Sequence, residues 1–146
     1  MNTEFVFVAD LGNLKIFSLY DAGSPRLRLV ENMTIEEGRG RFADEVTDQA
    51  GAFPNMGSDG QANSIAERHG IELENTDRAI RRIAAKVRDF VEQSQPKRWS
   101  LAAPPEINSA ILGKIAPECL RSLGRNVKKD LINVPVEELL GHLEKP

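Results

Sequence analysis

The chain has 146 residues, of which 40% are hydrophobic and 28% are charged, and its net charge is −3, as in an ordinary globular domain. No apolar run approaches the roughly 20 residues of a membrane helix, and the start of the sequence lacks the basic segment of a signal peptide. One cysteine and two histidines exclude an internal disulfide and a thiolate zinc site. We therefore expect one cytoplasmic domain over residues 1–146, with no membrane contact, no cofactor and no metal.

The first third of the sequence predicts three strands joined by short turns. Residues 5–9 are apolar throughout, as in a strand buried on both faces, and residues 14–20 continue as a strand after a turn at 10–13. After a second turn at 21–25, residues 27–33 nearly alternate, as in a half-exposed strand. Short turns between consecutive strands favour antiparallel pairing, so we predict a three-stranded meander.

A long segment without regular pattern follows the meander. Residues 35–75 show no sustained hydrophobic period and contain many of the glycines in the chain. Loops longer than about 15 residues are uncommon in compact domains and are usually functional or disordered. We therefore predict a long, mobile, Gly-rich loop over residues 35–75 within the domain.

A long amphipathic helix is predicted after this loop. The polar run 75–77 is a typical N-cap cluster, and Pro96 marks the end of the helical pattern. Apolar residues at helical spacing define the buried face of the helix: Ile80, Ile83, Ala84, Val87, Phe90 and Val91.

Strands and helices alternate in the rest of the chain. A buried strand at 99–103 precedes a helix that begins at Pro104 and Pro105, since proline is tolerated in a first turn. We predict a last strand at 127–131 and a last helix after Pro135. Because such alternation favours parallel strands, the expected fold class is α/β. The expected architecture has three layers around a mixed five-stranded sheet, and in chain order an antiparallel meander precedes αβαβα.

The segment 57–64 contains Gly60 and Gln61 ahead of the long helix. A meander, a Gly-Gln loop and a long basic helix resemble the middle domain of the eukaryotic and archaeal class I release factors. In that family a Gly-Gly-Gln motif enters the peptidyl-transferase centre, so the resemblance implies that Gly60 and Gln61 are catalytic. Glycine lets the backbone approach an ester closely, and a backbone N–H beside Gln61 would stabilise the oxyanion. Asp59 stands where the motif has its first glycine.

The C-terminal half resembles a second family. The segment 99–105 with its following helix, and the segment 127–131 with its following Glu-Glu-Leu helix, resemble the bacterial host attachment proteins. That family is itself similar to the release-factor middle domain. The two resemblances together imply a release-factor middle-domain or ribonuclease H-like fold for most of the chain.

A basic stripe lies on the predicted outer face of the long helix. It consists of Arg78, Arg81, Arg82 and Lys86, in a half of the chain (residues 76–146) with 13 basic and 9 acidic residues. Such a stripe binds phosphates in RNA-binding proteins. Outer helix faces are also commonly charged for solubility alone, so both interpretations stay open at this point.

Few other side chains are candidates for catalysis or metal binding. Asp10 after the first strand and Asp130 on the predicted last strand are the carboxylates that a metal-dependent nuclease would use, although Asp10 fits better as the start of a turn. His69 and His142 have no partner at ligand spacing. Cys119 is typical of a small buried residue.

These observations lead to three functional hypotheses. The first is a translation-associated RNA- or ribosome-binding protein that hydrolyses peptidyl-tRNA through its Gly-Gln loop, with the ribosome or tRNA as partner. The alternative is a non-enzymatic interaction protein of the host attachment family, acting in surface attachment or signalling through a protein partner. The third is a metal-dependent nuclease. The sequence leaves open whether the chain is an enzyme and which oligomeric state it adopts.

Overall fold

A mixed five-stranded sheet forms the centre of the computed structural model, which describes residues 4–21, 23–37 and 58–144, with side chains in the last range from Leu73 onward. The strands lie in the order β3-β2-β1-β4-β5: β1 (Glu4–Ala9), β2 (Asn13–Asp21), β3 (Pro25–Thr34), β4 (Arg98–Ala102) and β5 (Leu123–Val127). Strand β2 pairs antiparallel with β1 and β3, which confirms the meander. Strand β4 is parallel to both β1 and β5, which confirms the mixed sheet.

The described residues include four helices: α1 (Ser58–Ser94), α2 (Pro105–Gly113), α3 (Pro117–Leu120) and α4 (Val136–Glu144). Helices α2 and α3 both have proline at their first position. Proline is favoured there because the missing N–H would have no partner within the helix. The predicted helix start at the proline pair is therefore confirmed.

Helix α1 begins at Ser58, whereas the sequence predicted a start at Thr76, so residues 58–75 of the expected loop are helical. Residues 38–57 of that loop lie outside the described residues. Once a helix exists, each further turn needs no new nucleus. The added turns contain several good helix formers, which offset the cost of two glycines: Ala62, Ala66, Glu67, Glu72 and Leu73.

Strand β5 covers Leu123–Val127, whereas the sequence predicted a strand at 127–131. It is defined by its pairing with β4, in which Trp99 is opposite Leu123 and Ala102 is opposite Val127. This pairing holds a segment that contains glycine and two polar residues, because tertiary contacts outweigh β propensity. Asp130 therefore lies after the last strand rather than on it.

One face of the sheet packs against α1, α2 and α3. The predicted apolar face of α1 is buried or half-buried there, together with Phe5, Phe7 and Trp99 of the sheet. Phe90 packs edge-on against Phe5 and Phe7, with ring centroids 4.8 Å and 5.7 Å apart. Such edge-to-face pairs add about 0.5–1.5 kcal/mol to the effect of burial.

The opposite face of the sheet packs against α4. Leu139 and Leu143 are buried in a second cluster with Val6, Val8 and Phe17. Strand β1 contributes alternate side chains to both clusters, which is why residues 5–9 are apolar throughout. Helices therefore lie on both faces of the sheet, and the α/β class is confirmed. The release-factor or ribonuclease H-like fold stays a prediction.

Candidate functional site

Gly60 and Gln61 lie in the first turn of α1, so their backbone is helical. The sequence placed them in a loop, where the freedom of glycine would bring the main chain close to an ester. The side chains of residues 58–72 lie outside the described part of the chain. The catalytic role of these two residues therefore stays a prediction.

The four residues of the predicted basic stripe each have a carboxylate partner: Arg78 with Glu74 at 3.6 Å, Arg81 with Asp77 at 2.9 Å, Arg82 with Glu37 at 3.3 Å, and Lys86 with Glu31. These pairs are largely exposed, and such pairs contribute about 0–1 kcal/mol to stability. Their main effect is on charge, because a phosphate would have to compete with a carboxylate at every position. RNA binding by this stripe stays a prediction.

The carboxylates considered for a nuclease bind backbone N–H groups in turns. Asp10 Oδ1 accepts hydrogen bonds from the backbone N–H of Gly12 at 2.8 Å and of Asn13 at 2.7 Å. Asp130 Oδ1 accepts one from Ile132 at 3.3 Å. Among the residues with described side chains, no group of three His, Cys, Asp or Glu is placed to hold a metal ion. Asp10 thus opens the turn between β1 and β2.

Cys119 has a buried side chain, and its backbone carbonyl accepts a hydrogen bond from Trp99 Nε1 at 2.8 Å. Burial raises the pKa of the thiol, and the negative charges of Glu92 and Glu118 raise it further. A protonated, buried thiol is a poor nucleophile, so Cys119 contributes to packing. His142 is half-buried in α4, and the side chain of His69 lies outside the described part.

Sequence reasoning missed a buried amide pair between α2 and β5. Asn108 is fully buried, and its Nδ2 donates to Asn126 Oδ1 at 2.8 Å while Asn126 Nδ2 donates to Asn108 Oδ1 at 2.8 Å. Asn108 Nδ2 also lies 3.2 Å from the carbonyl oxygen of Val127. The pair fixes α2 to the end of the parallel strands. No composition or spacing signal distinguishes such an asparagine from an exposed one.

Two arginines near β5 also have fixed partners. Arg98 Nε donates to Glu4 Oε1 at 2.9 Å, and the Arg98 side chain crosses over Gly124. A Cβ atom at position 124 would lie 2.5 Å from Arg98 Cδ, so only glycine allows this arrangement. Arg125 Nη1 donates to the carbonyl oxygen of Leu143 at 3.0 Å, near the end of α4. These contacts engage the side chains at the β5 edge within the protein itself.

The hairpin formed by β2 and β3 has a different surface, which we call the hairpin surface and define as Tyr20, Arg26, Arg28, Leu29 and Val30. The three large apolar side chains are exposed by 38%, 48% and 49% respectively. The Arg28 guanidinium lies 5.6 Å from the centroid of the Tyr20 ring. Within the described residues, no carboxylate lies at ion-pair distance from either arginine. The hairpin surface therefore combines exposed apolar area with two arginines that have no ion pair among the described residues.

A cleft of about 470 Å³ lies beside the hairpin surface, between the β2–β3 turn and α4. Its walls include Tyr20, Pro25 and Arg26 on the hairpin and Val136, Glu137 and Leu140 on α4. The cleft gives the hairpin surface a concave border. Sequence reasoning missed this surface, although the adjacent apolar pair Leu29-Val30 interrupts the alternation expected of a regular strand.

Comparison with known proteins supports one of the two resemblances. In the described part of the chain, no helix has both the length and the apolar character needed to cross a membrane. No curated protein matches the chain significantly by sequence. A family model described as a protein required for attachment to host cells matches residues 5–143, from β1 to α4. The chain therefore belongs to the family of proteins required for attachment to host cells.

Proposed function

We propose that this chain is a non-enzymatic interaction protein that contributes to attachment to host cells and binds its partner through the hairpin surface. The observation that carries the proposal is the location of exposed apolar side chains. Of the four large ones in the described residues, Tyr20, Leu29 and Val30 lie on this hairpin. Clustered apolar groups on a protein surface are typical of interaction sites.

The residue types of the hairpin surface support the same proposal. Tyrosine and arginine are the residues most enriched in the parts of interfaces that dominate binding energy. Arg26 and Arg28 supply both charge and hydrogen-bond donors, whereas the arginines of α1 already bind carboxylates of this chain. We infer that the hairpin surface favours a partner that brings acidic groups to the face of Arg28 and apolar groups to the opposite face, where Leu29 is paired with Phe17.

Peptidyl-tRNA hydrolysis at Gly60 and Gln61 is the other function that the sequence predicted. The family match concerns host attachment and gives this function no support. The basic stripe that would hold RNA is compensated by carboxylates. No observation in the described residues favours this function over attachment.

The test is attachment of the producing organism to host cells after its gene is replaced by variants. We expect Arg28→Glu combined with Leu29→Ser to reduce the number of attached cells by about thirtyfold, because two contact residues costing ~1 kcal/mol each weaken binding by that order. The matched control combines Arg121→Glu with Leu73→Ser, which makes the same changes at exposed positions elsewhere. Equal attachment of wild type and the hairpin variant, at equal protein levels, would contradict the proposal.

A further inference from the structure

Strand β3 lies at one edge of the sheet, and within the described residues nothing pairs with its outer side. The strand is ten residues long. The backbone N–H of Ile35 donates to the carbonyl of Gly12 at 2.9 Å, so these residues form a hydrogen-bonded pair of the β2–β3 ladder. Because such pairs alternate along an antiparallel ladder, the backbone groups of Asn32 and Thr34 point away from β2. The outer edge therefore offers hydrogen-bonding groups to another strand.

We propose that a second copy of this chain occupies the edge, with the two β3 strands antiparallel and related by a two-fold axis between Leu29 and Val30. The inference rests on the proposed function, since it names the partner of the same hairpin surface. In this register Arg28 of one copy lies opposite Glu31 of the other, and Leu29 lies opposite Val30. A self-complementary patch of this kind is what a two-fold dimer requires.

The charges of β3 agree with this register. Arg26 and Arg28 lie in its first half and Glu31 in its second, so antiparallel pairing brings opposite charges together. Lys86 contacts Oε2 of Glu31, which leaves Oε1 for an arginine of the second copy. A parallel arrangement in the same register would place like charges opposite each other, which destabilises a strand pair.

The positions of Arg28 and Glu31 on the faces of the sheet also agree with this register. Arg28 on β3 is opposite Ser18 on β2, and Ser18 is in turn opposite Phe5 on β1. Phe5 belongs to the cluster beneath α1. Glu31 is opposite Ile16, which belongs to the same cluster. Directly opposite residues of paired strands point to the same face. Arg28 and Glu31 therefore both lie on the α1 face, as an ion pair between the two copies needs.

The bulge in β3 lies at the proposed two-fold axis. Ile16 pairs with Glu31 and Phe17 with Leu29, so Val30 is the extra residue of the bulge. Val30 and Leu29 are each about half exposed, and the proposed pairing covers both apolar side chains. An edge-to-edge contact buries little area, so we expect a weak dimer whose formation depends on concentration and falls with salt.

The test is analytical ultracentrifugation of the full chain over a concentration series. We expect wild type to dimerise, and Arg28→Glu and Glu31→Arg each to weaken the dimer by about tenfold, because each places two pairs of like charges across the axis. Mixing the two variants in equal amounts restores both opposite-charge pairs and should restore dimerisation. Arg26→Glu makes the same charge change opposite Met33 and should have a smaller effect. Circular dichroism checks that each variant is folded.

Each outcome decides between the proposals. If wild type stays monomeric while the hairpin variant still loses attachment, the second copy is excluded and the hairpin surface binds another partner. If wild type stays monomeric and the hairpin variant attaches normally, the proposed function fails as well. If wild type dimerises but Arg28→Glu does not weaken the dimer, or the mixture does not recover it, pairing through β3 in this register is overturned.

Discussion

The two edges of the sheet differ in how their side chains are used. At the β5 edge, Arg98 lies over Gly124, Arg125 binds a carbonyl of α4, and Asn126 pairs with Asn108. At the β3 edge, two apolar side chains are half exposed, and two arginines have no carboxylate partner among the described residues. The side chains at the β5 edge are thus held by contacts within the chain, whereas the arginines at the β3 edge have no ion pair among the described residues. Substitutions should accordingly affect stability at β5 and association at β3.

The largest effect on stability is expected at the amide pair beside β5. Asn108→Ala removes the partner of Asn126 and of a buried carbonyl, so we expect the free energy of unfolding to fall by about 1–3 kcal/mol. Urea denaturation measures the change. The matched control is Asn32→Ala at the β3 edge, which should stay within about 0.5 kcal/mol of wild type because Asn32 is exposed. Equal decreases in the free energy of unfolding for Asn108→Ala and Asn32→Ala would show that the two edges do not differ in their contribution to stability.

A smaller loss is expected where Arg98 crosses Gly124. Gly124→Ala forces the arginine away from Glu4, and losing this exposed ion pair and its packing should cost about 0.5–1 kcal/mol. In an Arg98→Ala background the same substitution should cost nothing, which a double-mutant cycle measures. Gly141→Ala has open space around the new Cβ atom and should instead stabilise α4 by about 0.5–1 kcal/mol. If Gly124→Ala still lowers the free energy of unfolding in the Arg98→Ala background, the Arg98 side chain is not the cause of the loss.

A loss of association without a change in stability is expected at the β3 edge. Val30→Lys places a charge at an exposed position, so the free energy of unfolding should change by less than about 0.5 kcal/mol. The same lysine should prevent edge-to-edge pairing, because edge lysines are a common device against it. Sedimentation and urea denaturation of one sample measure both effects. Leu73→Lys on α1 is the control, and it should leave dimerisation unchanged.

The smallest effect is expected for Gln61. If attachment depends on the hairpin surface, Gln61→Ala should leave both attachment and stability at wild-type levels. Peptide release from stalled ribosomes provides the direct test of the catalytic hypothesis. Release by wild type that is lost in Gln61→Ala would restore that hypothesis and would make the hairpin surface a secondary feature.

The parts of the fold that follow from local pattern could be predicted. The turns at 10–13 and 21–25 contain glycine with asparagine or proline, which fixed the meander, and helical spacing from Ile80 to Val91 fixed the buried face of α1. Strand β5 was misplaced because its residues are polar and its position depends on β4. The start of α1 was misplaced because Gly60 and Gly70 interrupt the pattern, whereas elongation of an existing helix tolerates them.

The sequence by itself determined the class of the fold, since periodicity and turn chemistry act between residues that are close in the chain. Tertiary structure decided which polar groups are engaged. Lys86 and Arg82 of the basic stripe are paired because Glu31 and Glu37 lie next to them across more than 40 residues of chain, whereas Arg78 and Arg81 pair with carboxylates four residues earlier on α1. Arg28 and its neighbours are left on an open edge because β3 has no described strand beyond it. The pairings of Lys86 and Arg82 depend on distances between remote segments, which no local pattern encodes.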